Sequence, residues 1–124
     1  MPATVTHRHR KAVETLAWFH ALWLTWEEIA EALDTSSRSI QRWREHETSP
    51  ARESLKAVER LDELRFWLCK VFDTEVPEED GEMIEWLHTR LEDLHGKTPR
   101  EALLAGNVEL LIEMLASVHT GAFI

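Results

Sequence analysis

Tyrosine is absent, cysteine occurs once, and glycine and proline contribute four residues each to a chain of 124. The single thiol, Cys69, cannot close an intrachain disulfide or supply a four-ligand zinc site. Its apolar, helix-patterned surroundings predict a buried, inert thiol. No run of about 18 apolar residues is present, which excludes a transmembrane helix. The N-terminal THRHRK is followed by a mixed polar and apolar stretch with no apolar signal core, so a cytoplasmic protein without a membrane partner is expected. No segment alternates with period two over strand length, and β-branched residues are sparse, which argues against a sheet.

The motifs of enzyme chemistry are missing as well. There is no glycine-rich phosphate loop and no nucleophile motif. His7-x-His9 lies in an N-terminal stretch expected to fray and has no acidic or thiol neighbour in sequence. His88 and His95, seven apart, read as surface or half-buried side chains. The acidic run Glu78-Glu79-Asp80 with Glu82 lacks the ordered ligand spacing of a calcium loop and reads as solvated. A non-enzyme with no metal and no cofactor is expected.

What remains is a globular composition, 44% hydrophobic and 30% charged, with six tryptophans to fill a core. The net charge of -9 is unevenly spread. Residues 1–56 carry eight basic and eight acidic side chains, whereas residues 57–124 carry six basic and 15 acidic. The acidic half repels nucleic acid and suits a basic protein partner; the neutral half is able to meet DNA if its basic groups gather on one face.

The pattern is helical throughout, and an all-α fold is expected. Helices are predicted from about Arg8 to Trp23, Thr25 to Leu33, Ser36 to Glu45, Ala51 to Phe72 and Glu82 to Leu94, with a short helix closing at Gly106 and a last one capped by Asn107. Thr25-Trp26-Glu27-Glu28 and Thr98-Pro99-Arg100-Glu101 are capping boxes, the second with proline where its missing N–H costs nothing. HETSP (residues 46–50) and the acidic DTEVPEEDGE (residues 73–82) are the breaks.

LTWEEIAEALDTSSRSIQRWRE (residues 24–45) has helix-turn-helix spacing, with Ile29, Ala30 and Leu33 facing Ile40 and Trp43 across the turn Asp34-Thr35-Ser36. The second helix then exposes Ser37, Arg38 and Gln41 near its start, where base edges are read, while Arg42, Arg44 and Arg52 suit phosphates. The competing reading keeps the three-helix shape for packing only, and five glutamates (Glu27, Glu28, Glu31, Glu45 and Glu47) crowd the region. Weak affinity of a single copy would call for two copies on a repeated site.

The helix at residues 51–72 repeats Ala57, Leu61, Leu64, Leu68 and Val71 along one face, with Trp67 flanking and Leu55 and Phe66 on the opposite side. Two apolar faces imply either a central core helix or one shared with a second copy, in which case Leu61, Leu64, Trp67, Leu68 and Val71 are the dimerisation residues.

Further along, Glu85-Trp86-Leu87, Leu91, and Leu94-His95-Gly96-Lys97-Thr98-Pro99, followed by a short helix to Gly106 and a final helix ending at Gly121-Ala122-Phe123-Ile124, resemble the toxin-binding domain of the Xre/MbcA/ParS antitoxin family. With the preceding helix-turn-helix and long helix, the resemblance covers about residues 10–124. It implies a helix-turn-helix module over residues 8–50, a connecting and dimerisation helix over 51–72, and a toxin-binding domain over 73–124. It further implies a homodimeric type II antitoxin that represses its own promoter and joins a larger complex with a RES-domain toxin that degrades NAD⁺.

The ending SVHTGAFI carries no acidic or basic residue other than His119. The resemblance implies that Thr120, Gly121, Ala122, Phe123 and Ile124 enter the toxin's active-site cleft. In the alternative reading, Phe123 folds back on Trp86 or Leu115. Other functions stay open at this point: a stand-alone transcriptional regulator whose C-terminal half only dimerises, or an adaptor with no DNA role.

Overall fold

The computed structural model describes residues 7–22, 24–45, 50–74 and 81–120. Among these residues the fold is all-α, with no strand: α1 (His7–Ala21), α2 (Trp26–Ala32), α3 (Ser37–Arg44), α4 (Arg52–Phe72), α5 (Gly81–Leu87), a 3-10 turn (Glu92–Leu94), α6 (Pro99–Leu104) and α7 (Val108–Thr120). No helix among them is long and apolar enough to cross a membrane.

Local chemistry sets the starts of α2, α3 and α6. Thr25 Oγ1 accepts from the Glu28 amide at 3.0 Å, and the Thr25 amide donates to Glu28 Oε1 at 2.9 Å. The same reciprocal pair recurs between Thr98 and Glu101, both bonds at 3.0 Å. Each box satisfies two N-terminal amides that the helix itself leaves unpaired. Ser36 caps α3 by accepting from the Ser39 amide. Asp34 turns the chain between α2 and α3 with a left-handed φ of 55°, which aspartate tolerates better than most residues.

Helix α4 is the spine. Its buried stripe, Val58, Leu61, Leu64 and Leu68, lies between α1 on one side and α7 on the other. Leu16 and Phe19 of α1, Leu22 just beyond it, Ile29 of α2, Ile40 of α3, and Leu111 and Leu115 of α7 join it in one continuous core. Each of these side chains, taken fully out of water, contributes about 1.5–3 kcal/mol. The stripe needs one helix face only; Phe66, on the other face, is 51% exposed.

Three expectations from the sequence are corrected. The helix expected over Glu82–Leu94 stops at Leu87. There His88 Nδ1 donates to the Ile84 carbonyl and Thr89 Oγ1 to the Glu85 carbonyl, so side chains take over the last acceptors of the helix. The chain then closes a tight loop in which the Leu91 amide donates to the Lys97 carbonyl and the Gly96 amide to the Leu91 carbonyl. His95 and Gly96 both adopt positive φ there. Second, His9 does not belong to a frayed end. It is 4% exposed, and its Nε2–H donates to the Trp43 carbonyl at 2.7 Å, pinning α1 to the end of α3. Third, Cys69 is half-buried, because its side of α4 is only partly covered.

Candidate functional site

Two outward faces stand apart from the core. The first is the outer side of α3. Ile40 and Trp43 are buried at 0% and 5% exposure, so the intervening positions point to solvent. Arg38, Gln41, Arg42 and Arg44 are exposed there, Ser37 is half-buried, and Arg52 is exposed at the start of α4. Arg38, Gln41, Arg42 and Glu45 share one shallow depression.

These side chains are not equivalent. The Arg44 guanidinium sits 4.0 Å from the centroid of the Trp26 ring, on which His20 also stacks at 4.1 Å. Gln41 Nε2 donates to Glu45 Oε1 at 3.1 Å. Arg38 and Arg42, by contrast, form no ion pair among the described residues, and their charge is available to an anionic ligand. The Glu45 carboxylate, although bonded to Gln41, opposes such a ligand by its charge.

The second face belongs to α6 and α7. The Thr98–Glu101 box opens α6, and the two bonds to Thr98, first from its backbone amide and then from its hydroxyl, hold the Glu101 carboxyl below the usual carboxylate range, with Arg90 and Lys97 adding to the effect. Arg90 Nη1 donates to the Gly96 carbonyl at 3.0 Å, so the loop before the box is tied down from both ends. Gly106, at φ 85°, turns the chain into α7.

Helix α7 buries Leu111, Ile112 and Leu115 and leaves a second apolar row outside: Leu110 at 40% exposure, half-buried Met114, and Val118 at 57%. Spacing of four residues stacks the three on one side of the helix. The row leads toward the C-terminus, and Glu109 and Glu113 are exposed beside it. Leu110, Met114 and Val118 went unremarked in the sequence although their spacing was visible there; the adjacent buried positions masked them.

An ion pair between Arg100 and Glu28 links α6 to α2. Glu28 uses one carboxylate oxygen for its capping box and the other for Arg100.

Of the residues expected to form a dimer seam, Leu61, Leu64 and Leu68 are buried at 1–2% exposure inside the single chain, while Trp67 and Val71 are half-buried. Of the expected toxin-binding residues, the backbone of Thr120 ends α7; its side chain and Gly121, Ala122, Phe123 and Ile124 lie outside the described residues, as do residues 46–49 and 75–80. Among the described residues no cluster of three His, Cys, Asp or Glu side chains is arranged to hold a metal ion.

Among solved structures, the chain is similar to one in the crystal structure of the M. tuberculosis MbcT-MbcA toxin-antitoxin complex. The TM-score is 0.63 and the identity 21%, over 92% of this chain and 97% of that one. At this identity the likeness is one of fold, and at that level it bears out the resemblance read from the sequence. No family model and no curated protein sequence matches the chain.

Proposed function

We propose that the chain is the antitoxin of a type II toxin–antitoxin pair, and not an enzyme. The observation that carries this reading is the fold it shares, over nearly its whole length, with a chain of a toxin–antitoxin complex. The partner is a RES-domain toxin that consumes NAD⁺, and inhibition is steric. Thr120, Gly121, Ala122, Phe123 and Ile124 occupy the toxin's cleft, and the apolar row Leu110, Met114 and Val118 extends the contact along α7. The acidic C-terminal half draws a basic toxin surface toward it.

The same chain represses its own promoter as a homodimer in the cytoplasm. Arg38 and Gln41 read base edges, Ser37 supports them, and Arg42, Arg44 and Arg52 hold phosphates. Because Arg44 rests on Trp26 and Gln41 on Glu45, Arg38 and Arg42 lead the encounter. The functional division over 8–50, 51–72 and 73–124 is a division of surfaces, since one hydrophobic core runs through all three parts.

The test uses the purified product of the neighbouring open reading frame, with NAD⁺ loss followed over time. Intact chain added in increasing ratio is expected to stop the loss. A folded form lacking Gly121 to Ile124 is expected to fail. Unchanged NAD⁺ without the antitoxin would remove the RES partner, and equal inhibition by both forms would remove the tail from the mechanism.

A further inference from the structure

Trp26 is the first residue of α2 and stands half out of the core. Groups from two other helices meet its ring. His20, in the last turn of α1, stacks on it at 4.1 Å with 16° between the planes. The Arg44 guanidinium, at the end of α3, lies 4.0 Å from the ring centroid. His20 is itself fixed, its Nδ1–H donating to the Leu24 carbonyl at 2.8 Å. One indole on α2 thus gathers a side chain from α1 and another from α3.

The core does not need this assembly to join the three helices. Ile29 of α2 and Ile40 of α3 are already buried in it, at 1% and 0% exposure. His9 already ties α1 to the end of α3 through the Trp43 carbonyl. His20 and Arg44, by contrast, are exposed. Trp26 and Arg44 also share a recess of about 320 Å³ with Ser37 and Gln41, two residues of the face expected to read base edges.

Two carboxylates, those of Glu27 and Glu45, line the same recess. Arg44 forms an ion pair with neither among the described residues, and Glu45 accepts from Gln41 instead. An arginine paired with a carboxylate has donors occupied. A guanidinium held over an aromatic ring uses no N–H donor on an oxygen, so its donors stay open to a phosphate. The contact also restricts the side chain in advance, and less entropy is then lost when an anion binds.

We propose that Trp26 is a positioning residue for phosphate binding: backed by His20, it holds Arg44 ready for a DNA phosphate beside Ser37 and Gln41. This rests on the promoter binding proposed above and extends that interface from α3 onto the first turn of α2. It also divides the arginines by task. Arg38 and Arg42 govern the encounter, whereas Arg44, already restrained, slows departure.

The test measures association and dissociation rates of the full chain on an immobilised fragment of the DNA upstream of its own reading frame, at several salt concentrations. The variants are Trp26→Leu, Trp26→Phe, Arg44→Ala and the double variant Trp26→Leu with Arg44→Ala. Trp26→Leu and Arg44→Ala are each expected to speed dissociation about fivefold, with association little changed. Arg44→Ala is also expected to lower the salt slope by about one. The double variant is expected to bind no more weakly than Arg44→Ala, because the indole acts through the arginine. Trp26→Phe, which keeps an aromatic face, is expected to restore most of the wild-type rate. Should Trp26→Leu disturb folding, the exposed His20→Ala carries the test, expected to speed dissociation only while Arg44 is present. An unchanged dissociation rate, or a loss of equal size with and without Arg44, would overturn the proposal. A wild type that binds no promoter DNA would overturn the promoter reading and this inference together; a wild type that binds, with stack variants indistinguishable from it, overturns the stack alone.

Discussion

Helices α3 and α7 are built alike inside and differently outside. Each sets an apolar stripe into the common core, Ile40 and Trp43 in one, Leu111, Ile112 and Leu115 in the other. Outside, α3 presents arginines and a glutamine, and α7 presents Leu110, Met114 and Val118. The inner stripe is what folding demands of any surface helix, so it says little about function. The outer face is under no such demand. A charged face suits a polyanion that is attracted from a distance and released by salt. An apolar face suits a shaped recess that excludes water.

The broadest way to break the distinction is to damage what both helices share. Leu64→Ala, at the buried centre of α4, is expected to cost about 2–5 kcal/mol in urea unfolding and to impair DNA binding and toxin inhibition together. Loss of one without the other would mean that the two faces rest on separate cores.

A crossed pair of variants sharpens it. Arg38→Ala with Arg42→Ala is expected to weaken promoter binding by about 1–3 kcal/mol and to lower its salt dependence, leaving inhibition intact. Val118→Asp is expected to do the reverse, with stability within about 0.5 kcal/mol of wild type, since the side chain is more than half exposed. Titration of a labelled promoter fragment at two salt concentrations, beside the NAD⁺ assay, reads both. Two variants that each impair both activities would end the comparison.

The smallest effect concerns Glu101. Its carboxyl is depressed in the folded chain by its bonds to Thr98, so its contribution is present above the ordinary carboxylate range and is lost as pH falls through the depressed value. Glu101→Gln is therefore expected to be slightly less stable than wild type at neutral pH, with the gap closing in acid. Urea unfolding of both forms at neutral and acid pH measures it, and a gap that widens in acid would contradict the assignment.

Much of the fold was legible because its signals are local. A threonine and a glutamate three residues apart satisfy each other's amides wherever they stand, and both boxes formed as read. Asp34 takes the left-handed turn that helix-turn-helix spacing requires. The alternation of Ile29, Ala30, Leu33, Ile40 and Trp43 marked the inner sides of two helices, and all five are buried. The early stop of α5 was not legible, since Leu87 to Leu94 keeps an apolar rhythm and the stop depends on His88 and Thr89 turning back onto the carbonyls of that helix.

Helical periodicity, caps and turn residues act within one turn of the backbone, so composition and spacing were enough to read an all-α fold, many of its helix ends and the sidedness of α2 and α3. Contacts between residues far apart in the chain depend on how the helices pack. The bond from His9 to Trp43, the pair of Glu28 with Arg100, and the use of Leu61, Leu64 and Leu68 by α1 and α7 of the same molecule became visible only in three dimensions. A repeat of leucines specifies that one side of a helix leaves water; which surface covers it is settled by the competition among all the faces available, and here the chain's own helices cover it first.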